Sequence, residues 1–146
     1  MINTLSGNWV IDSQLFIYFQ DSKSPFHSDT KELFSKIIKQ TFTAVVAQQN
    51  ILEIEAVLIR HYRKNKIEVI AHIEKILNAF RFSVITPQNE TYRTYHELLR
   101  KIEAPVDIFD VYLAATMLDN NIRSILTFNI KDFAPIPNIR AVNPFK

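Results

Sequence analysis

The chain has 146 residues, of which one is glycine, Gly7, and none is cysteine. Phosphate-binding loops of the G-x-G-x-x-G and G-x-x-x-x-G-K-S/T types need more than one glycine, so the composition excludes both. The lack of cysteine excludes thiolate zinc sites, disulfides and cysteine nucleophiles. The four histidines fall in no H-E-x-x-H spacing, and we therefore expect any bound metal to be a hard ion with oxygen ligands.

The hydrophobic content and the charge are those of an ordinary globular domain. Hydrophobic residues make up 47% of the chain, which is enough for a core in one domain of this length. The formal net charge of +2 is too small to indicate nucleic-acid binding by itself. No stretch is long and uncharged enough to span a bilayer, and residues 1–4 lack the basic region of a signal peptide. We therefore expect a cytoplasmic protein without a membrane partner.

Short apolar runs alternate with helical patterns along the whole chain. In chain order, the patterns predict a strand at 9–11, a helix through 15–19, a helix after a capping box at 29–32, a strand at 44–47, helices after 48–50 and at 67–80, a strand at 82–86, helices at 91–102 and 107–119, and strands at 124–127 and 140–142. Because the strands are short and continuously apolar, we expect both faces of the sheet to be covered. The pattern predicts one α/β domain with a mostly parallel sheet.

Acidic and amide side chains follow the predicted strands. Asp12 ends the first strand, and Glu53 lies near the start of the helix after the second. Asp110 opens the helix before the fourth strand, and Asn129 and Asp132 follow that strand. Ligands of open parallel sheets bind at the carboxyl ends of the strands. These residues could therefore converge at one edge of the sheet.

Each acidic residue also has a purely structural interpretation. Asp12 and Asp107 can cap the helices that follow them, while Asp110 faces the helix dipole in the first turn. Glu53 can be a solvent-facing helix residue, and Asp132 can start a helical turn. Taken together, however, crowded carboxylates repel each other, and a divalent cation removes that repulsion. Mg²⁺ and Mn²⁺ prefer carboxylate, amide and water oxygens, so the set of residues favours these ions.

Four segments, in chain order, resemble the acidic motifs of the PIN-domain nucleases. They are VIDS at 10–13, NILEIEAVL at 50–58, DIFDVYLAATM at 107–117 and ILTFNIKDF at 125–133. The closing IRAVNP at 139–144 is similar to the last strand of that family. The third and fourth motifs are the specific ones, and the match covers nearly the whole chain. Within the family, the chain most resembles the VapC-like toxins of bacterial toxin–antitoxin pairs.

The resemblance implies a single PIN-like domain over residues 1–146, a three-layer α/β/α sandwich with five mostly parallel strands. It also implies an endoribonuclease that depends on Mg²⁺ or Mn²⁺, acts as a homodimer and is inhibited by a small antitoxin protein. On the family pattern, Asp12, Glu53 and Asp110 form the acidic triad that holds the metal. Thr127 and Asn129 then position the phosphate of the RNA substrate or a water ligand by hydrogen bonds.

The chain departs from the family pattern in two places. The family often has Thr-Asn after the first Asp, where this chain has Ser13 and Gln14. Many members have a fourth Asp two residues after the Thr, where this chain has Asn129. Asn129 offers a carbonyl oxygen without the charge, and Asp132 is the other residue that could supply that charge. The alternative function is thus a weak or inactive PIN-like module that binds RNA or protein.

Phosphotransfer domains of similar architecture are the rival enzyme class, and the motifs argue against them. Dehalogenase-like domains need a second Asp at position 14, which is Gln14, and receiver domains need an acidic pair beside the first strand. Two surface features have open interpretations. The basic run at 60–66 is either a solvated helix end or a contact with the RNA backbone through Arg60, Arg63, Lys64 and Lys66. An excess of aromatic residues predicts spare apolar surface for a partner, at Phe16, Tyr18, Phe19, Phe26 and Phe34.

Overall fold

The computed structural model describes residues 5–39 and 41–145, and within these ranges it contains five strands and seven helices. The strands are β1 (Asn8–Ile11), β2 (Thr43–Ala47), β3 (Ser83–Ile85), β4 (Ser124–Leu126) and β5 (Arg140–Val142). The helices are α1 (Ser13–Gln20), α2 (His27–Ile38), α3 (Gln48–Arg60), α4 (Lys66–Ala79), α5 (Thr91–Lys101), α6 (Ile108–Asp119) and α7 (Ile130–Phe133). Residues 1–4, on which the expectation about a signal peptide depends, lie outside these ranges. No helix of the described chain is both long and apolar enough to cross a membrane.

The strands form one sheet in the order β3-β2-β1-β4-β5, and every neighbouring pair is parallel. The prediction of a mostly parallel, five-stranded sheet is therefore confirmed. Strand β1 lies in the middle, where Val10 pairs with Val45 of β2 and Ile11 pairs with Leu126 of β4. Because all carboxyl ends lie at one edge, the residues that follow β1, β2 and β4 become neighbours there.

Alternate residues of each strand point to opposite faces of the sheet, and both faces are covered by helices. Trp9 and Ile11 pack into a core formed with α1 to α4. Val10 and Ile125 pack into a second core, formed with α5, α6 and Phe133 of α7. The two cores on either side of the sheet explain the continuously apolar strands and confirm the three-layer α/β/α architecture.

The aromatic residues near the first two helices pack on one another, and most of them also pack on the first core. Phe16 and Phe34 are buried and meet edge to face, with ring centroids 5.5 Å apart. Phe19 stacks on Phe34 at 4.4 Å. Tyr18 and Phe26 are half-buried, pack on each other at 5.1 Å and both contact Phe128. The expectation of spare apolar surface is therefore wrong for Phe16 and Phe34, which are buried, whereas Tyr18, Phe19 and Phe26 stay partly exposed.

The starts of the helices follow the sequence with one exception. Asp12 is the N-cap of α1 and Asp107 is the N-cap of α6, as the structural interpretation of these residues predicts. The capping box predicted at 29–32 is wrong, because α2 begins at His27 and Asp29 already lies in its first turn. The hydroxyl of Thr30 donates to the carbonyl of Phe26 at 2.6 Å, so it contributes to the helix interior.

Candidate active site

Asp12 stands at the end of the central strand, and its carboxylate is held by three donors. Oδ1 accepts from the backbone N–H of Ser13 at 2.8 Å and from the amide of Asn50 at 3.4 Å. Oδ2 accepts from the hydroxyl of Thr127 at 2.7 Å. Burial raises the pKa of Asp12, although the hydrogen bonds from Thr127 and Ser13 act in the opposite direction. The carboxylate is thus desolvated and fixed in one orientation.

Asn50, which the sequence reasoning missed, links the first two strands at this edge. It is fully buried in the first turn of α3, where its Oδ1 accepts from the backbone N–H of Ala47 at 3.3 Å while its amide donates to Asp12. An amide side chain three residues before Glu53 lies on the same side of a helix as that residue. The three-residue spacing of Asn50 and Glu53 is the feature of the sequence that indicates that both side chains face the site.

Glu53 is exposed as a residue, but its carboxyl group lies close to other acids. Partial desolvation of this carboxyl raises the pKa of Glu53, and the charges of Asp12 and Asp107 raise it further. Hydrogen bonds from the side chains of Gln49 and Ser13 oppose the rise in its pKa. Gln49 also donates to the carbonyl of Phe109 at 2.9 Å, which ties the start of α3 to the start of α6.

Asp110 lies in the first turn of α6 at the centre of the acidic residues. Partial burial and then the charges of Asp107, Asp12, Asp132 and Glu53 raise the pKa of Asp110 to about 7. We call these five residues the carboxylate cluster. The structure therefore brings together the predicted residues Asp12, Glu53, Asp110 and Asp132 and adds Asp107. The carboxylate of Asp107 also accepts from the backbone N–H of Phe109 at 2.8 Å.

The chemistry of the carboxylate cluster fits a hard divalent cation, because its donors are all oxygens and their repulsion favours a positive charge. In residues 5–39 and 41–145, no three His, Cys, Asp or Glu side chains stand together as a ready-made set of metal ligands. Mg²⁺ commonly keeps several waters and binds through one or two carboxylates, so the cluster suits water-mediated binding. The assignment of the metal to Asp12, Glu53 and Asp110 stays a prediction.

Thr127 and Asn129 continue the hydrogen-bond network on the other side of Asp12. The buried hydroxyl of Thr127 accepts from the backbone N–H of Asn129 at 3.1 Å while it donates to Asp12. The amide nitrogen of Asn129 donates to the side-chain oxygen of Gln14 at 3.1 Å. Gln14 and Asn129, which both depart from the family pattern, are thus hydrogen-bonded to each other.

The basic run lies away from the carboxylate cluster. Arg60 ends α3, Arg63 and Lys64 lie in the connection to α4, and Lys66 begins α4. All four side chains are exposed. Along the axis of α3, Arg60 is about 10 Å from Glu53, at the end that points away from the carboxyl edge of the sheet. This position agrees with a solvated helix end, and the contact of these residues with RNA stays a prediction.

The fold and the site together define a class of protein: a parallel α/β/α domain with an acidic site of oxygen ligands at the carboxyl edge of its sheet. The family model of the PIN domain matches residues 9–137 of this chain. The chain therefore belongs to the PIN domain family. No curated protein matches the sequence.

Solved structures with a similar fold include bacterial toxin–antitoxin proteins. VapBC-1 from nontypeable Haemophilus influenzae matches with a TM-score of 0.72 and 17% identity, over 95% of this chain and 99% of that chain. VapBC2 from Rickettsia felis, bound to a promoter DNA fragment, matches with a TM-score of 0.69 and 19% identity, over 93% of this chain and 98% of that chain. VapC20 from Mycobacterium tuberculosis, described as a sarcin-ricin loop cleaving toxin, matches with a TM-score of 0.64 and 14% identity, over 90% of this chain and 98% of that chain. These matches confirm the resemblance to VapC-like toxins as a likeness of fold.

The raised pKa of Asp110 predicts how the stability of the metal-free protein depends on pH. The folded protein binds the Asp110 proton more tightly than the unfolded chain, whose Asp pKa is about 3.9. The free energy of unfolding should therefore fall as pH rises between that value and the folded pKa of about 7. Melting curves in EDTA should show this fall, and Asp110→Asn should flatten it and melt at or above wild type near neutral pH. A lower melting temperature for Asp110→Asn at every pH would contradict the prediction.

The bridging hydroxyl of Thr127 predicts a difference between two substitutions. Thr127→Val keeps the shape but leaves an oxygen of Asp12 and the N–H of Asn129 without partners, at a cost of about 1–3 kcal/mol. Thr127→Ser keeps both hydrogen bonds and should be the more stable variant. Urea unfolding measures both free energies. Equal stabilities of the Val variant and the wild type would show that the hydroxyl contributes nothing.

Proposed function

We propose that this chain is an endoribonuclease that depends on Mg²⁺ or Mn²⁺, hydrolyses RNA phosphodiester bonds and acts as the toxin of a type II toxin–antitoxin pair. The observation that carries the proposal is the crowding of four acidic residues around Asp110, in a member of the PIN domain family. Such crowding is unfavourable for folding and is expected where a cation has to be bound.

Asp12, Glu53 and Asp110 would hold the ion, directly or through water. When bound, the ion supplies a water of lowered pKa and neutralises charge on the phosphoryl oxygens. Asp12 stays in one orientation because Ser13, Asn50 and Thr127 donate to it. Asp132 is a further source of negative charge beside Asp110.

Asp110 is the residue best suited to accept a proton from the attacking water. With the ion bound, the carboxylate of Asp110 would be ionised, because the positive charge offsets the burial and the neighbouring acids that raise its pKa in the metal-free protein. The carboxylate takes the proton as the water oxygen forms a bond to phosphorus, and the bond from phosphorus to the leaving oxygen then breaks. Asp110 can return that proton to the leaving oxygen.

The proposed partners are an RNA substrate, a small antitoxin protein and a second copy of the chain. Two structures with a similar fold support the first two: VapC20 is a sarcin-ricin loop cleaving toxin, and a structure from Klebsiella pneumoniae is a toxin–antitoxin complex. Apolar side chains that remain exposed, such as Leu52, Ile67 and Phe109, are available for contacts with a partner protein. We propose a single domain over residues 1–146 that acts in the cytoplasm.

RNA cleavage by site variants tests the proposal. Asp12→Asn and Asp110→Asn should each lower the cleavage rate of single-stranded RNA with Mn²⁺ by about a hundredfold or more, because they remove charge at the reacting centre. EDTA should abolish cleavage by the wild type. Asp29→Asn, in an exposed position of α2, is the matched control and should cleave like the wild type. Undiminished cleavage by both site variants would contradict the assignment.

A neutral residue at position 129 favours a second candidate function, a PIN-like module that binds RNA or protein without cleavage. This function predicts that the purified wild type binds single-stranded RNA but leaves it intact with both Mg²⁺ and Mn²⁺. The same assay therefore decides between the two functions.

A further inference from the structure

The side chains of Gln14 and Asn129 form a neutral amide pair beside the carboxylate cluster. The amide nitrogen of Asn129 donates to the side-chain oxygen of Gln14 at 3.1 Å. The backbone of Asn129 is fixed in turn, since its N–H donates to Thr127. Thr127 donates to Asp12, so the amide pair is attached to the same network as the acids.

This hydrogen bond leaves the amide nitrogen of Gln14 free. Within the described residues, the nitrogen makes no hydrogen bond to protein, and it is not among the buried atoms that lack a partner. It therefore reaches solvent and presents N–H donors next to the site. In this arrangement the bond from Asn129 occupies the oxygen of Gln14 and leaves its nitrogen unbonded.

A phosphate group that approaches the carboxylate cluster meets negative charge from five acidic residues. Carboxylates cannot donate hydrogen bonds to phosphate oxygens, whereas a neutral amide can do so without adding charge. The amide pair is a neutral donor that the network holds in place at this edge of the sheet.

We propose that the amide nitrogen of Gln14 donates to a non-bridging phosphate oxygen of the RNA, and that Asn129 is a positioning residue that keeps this donor free. This assignment depends on the proposed function. It also gives a reason for an amide at position 129. An Asp there would accept an N–H of Gln14 and so turn the amide nitrogen toward position 129 and away from the substrate.

Binding of a short fluorescent single-stranded RNA to metal-free protein in EDTA tests the proposal without cleavage. Gln14→Met is neutral and of similar length, and the loss of a hydrogen bond to a charged group should weaken RNA binding by about tenfold or more. Gln20→Met is the matched control on the same helix, where the amide of Gln20 donates to the carbonyl of Phe16. The control should bind RNA within about twofold of the wild type, because the change alters a single local hydrogen bond.

Asn129→Asp tests the polarity of the pair. We expect it to weaken RNA binding, and we expect Gln14→Met to weaken it little further in that background, because the donor is already withdrawn. The charge that Asp adds is present in both the Asn129→Asp variant and the double variant. Its effect on RNA binding therefore cancels when these two variants are compared. Melting temperatures show whether each variant is folded.

Two results would overturn the assignment while the proposed function stands. The first is that Gln14→Met binds RNA as tightly as the wild type. The second is that the effects of Gln14→Met and Asn129→Asp on RNA binding are fully additive. In both cases the wild type cleaves RNA. A wild type that neither binds nor cleaves RNA would overturn the proposed function and this assignment together.

Discussion

The carboxylate of Asp12 is desolvated at the end of the central strand, and the rest of the site is arranged around the donors that hold it. One donor comes from the helix that Asp12 caps, one from the start of α3 through Asn50, and one from the end of β4 through Thr127. The strand order makes this possible, because β1 lies between β2 and β4 and all three run in the same direction. A buried anion without such partners would be strongly unfavourable.

The network around Asp12 connects two kinds of side chain. Helices α3, α6 and α7 add Glu53, Asp110 and Asp132, whose mutual repulsion is relieved by a proton or by a cation. The neutral residues are Gln14, in the first turn of α1, and Asn129, which precedes α7. In the proposed nuclease, the acidic residues would hold the ion and the neutral amides would face the phosphate.

Local patterns in the sequence were sufficient for most of the fold and for the main acidic residues. The apolar run at 9–11 and the acid that follows it predict both β1 and the position of Asp12, because the strand end and the helix cap are local features. Asn50 and the Gln14–Asn129 bond could not be predicted in this way. Their partners are 38 and 115 residues away in the chain, so their roles depend on tertiary packing. Packing also overrode the capping-box pattern at 29–32, and it buries Phe16 and Phe34, for which the composition predicts a place at the surface.

The most direct test of the account is Mn²⁺ binding to the metal-free protein, measured by calorimetry near pH 7 in two buffers that differ in ionisation enthalpy. Since burial and the neighbouring acids raise the pKa of Asp110 to about 7, the account predicts that Mn²⁺ binds and displaces about half a proton. The same titration of Asp110→Asn should release fewer protons than the wild type, by about half a proton. If Mn²⁺ does not bind, or if the variant releases as many protons as the wild type, the carboxylate cluster is not a metal site centred on Asp110.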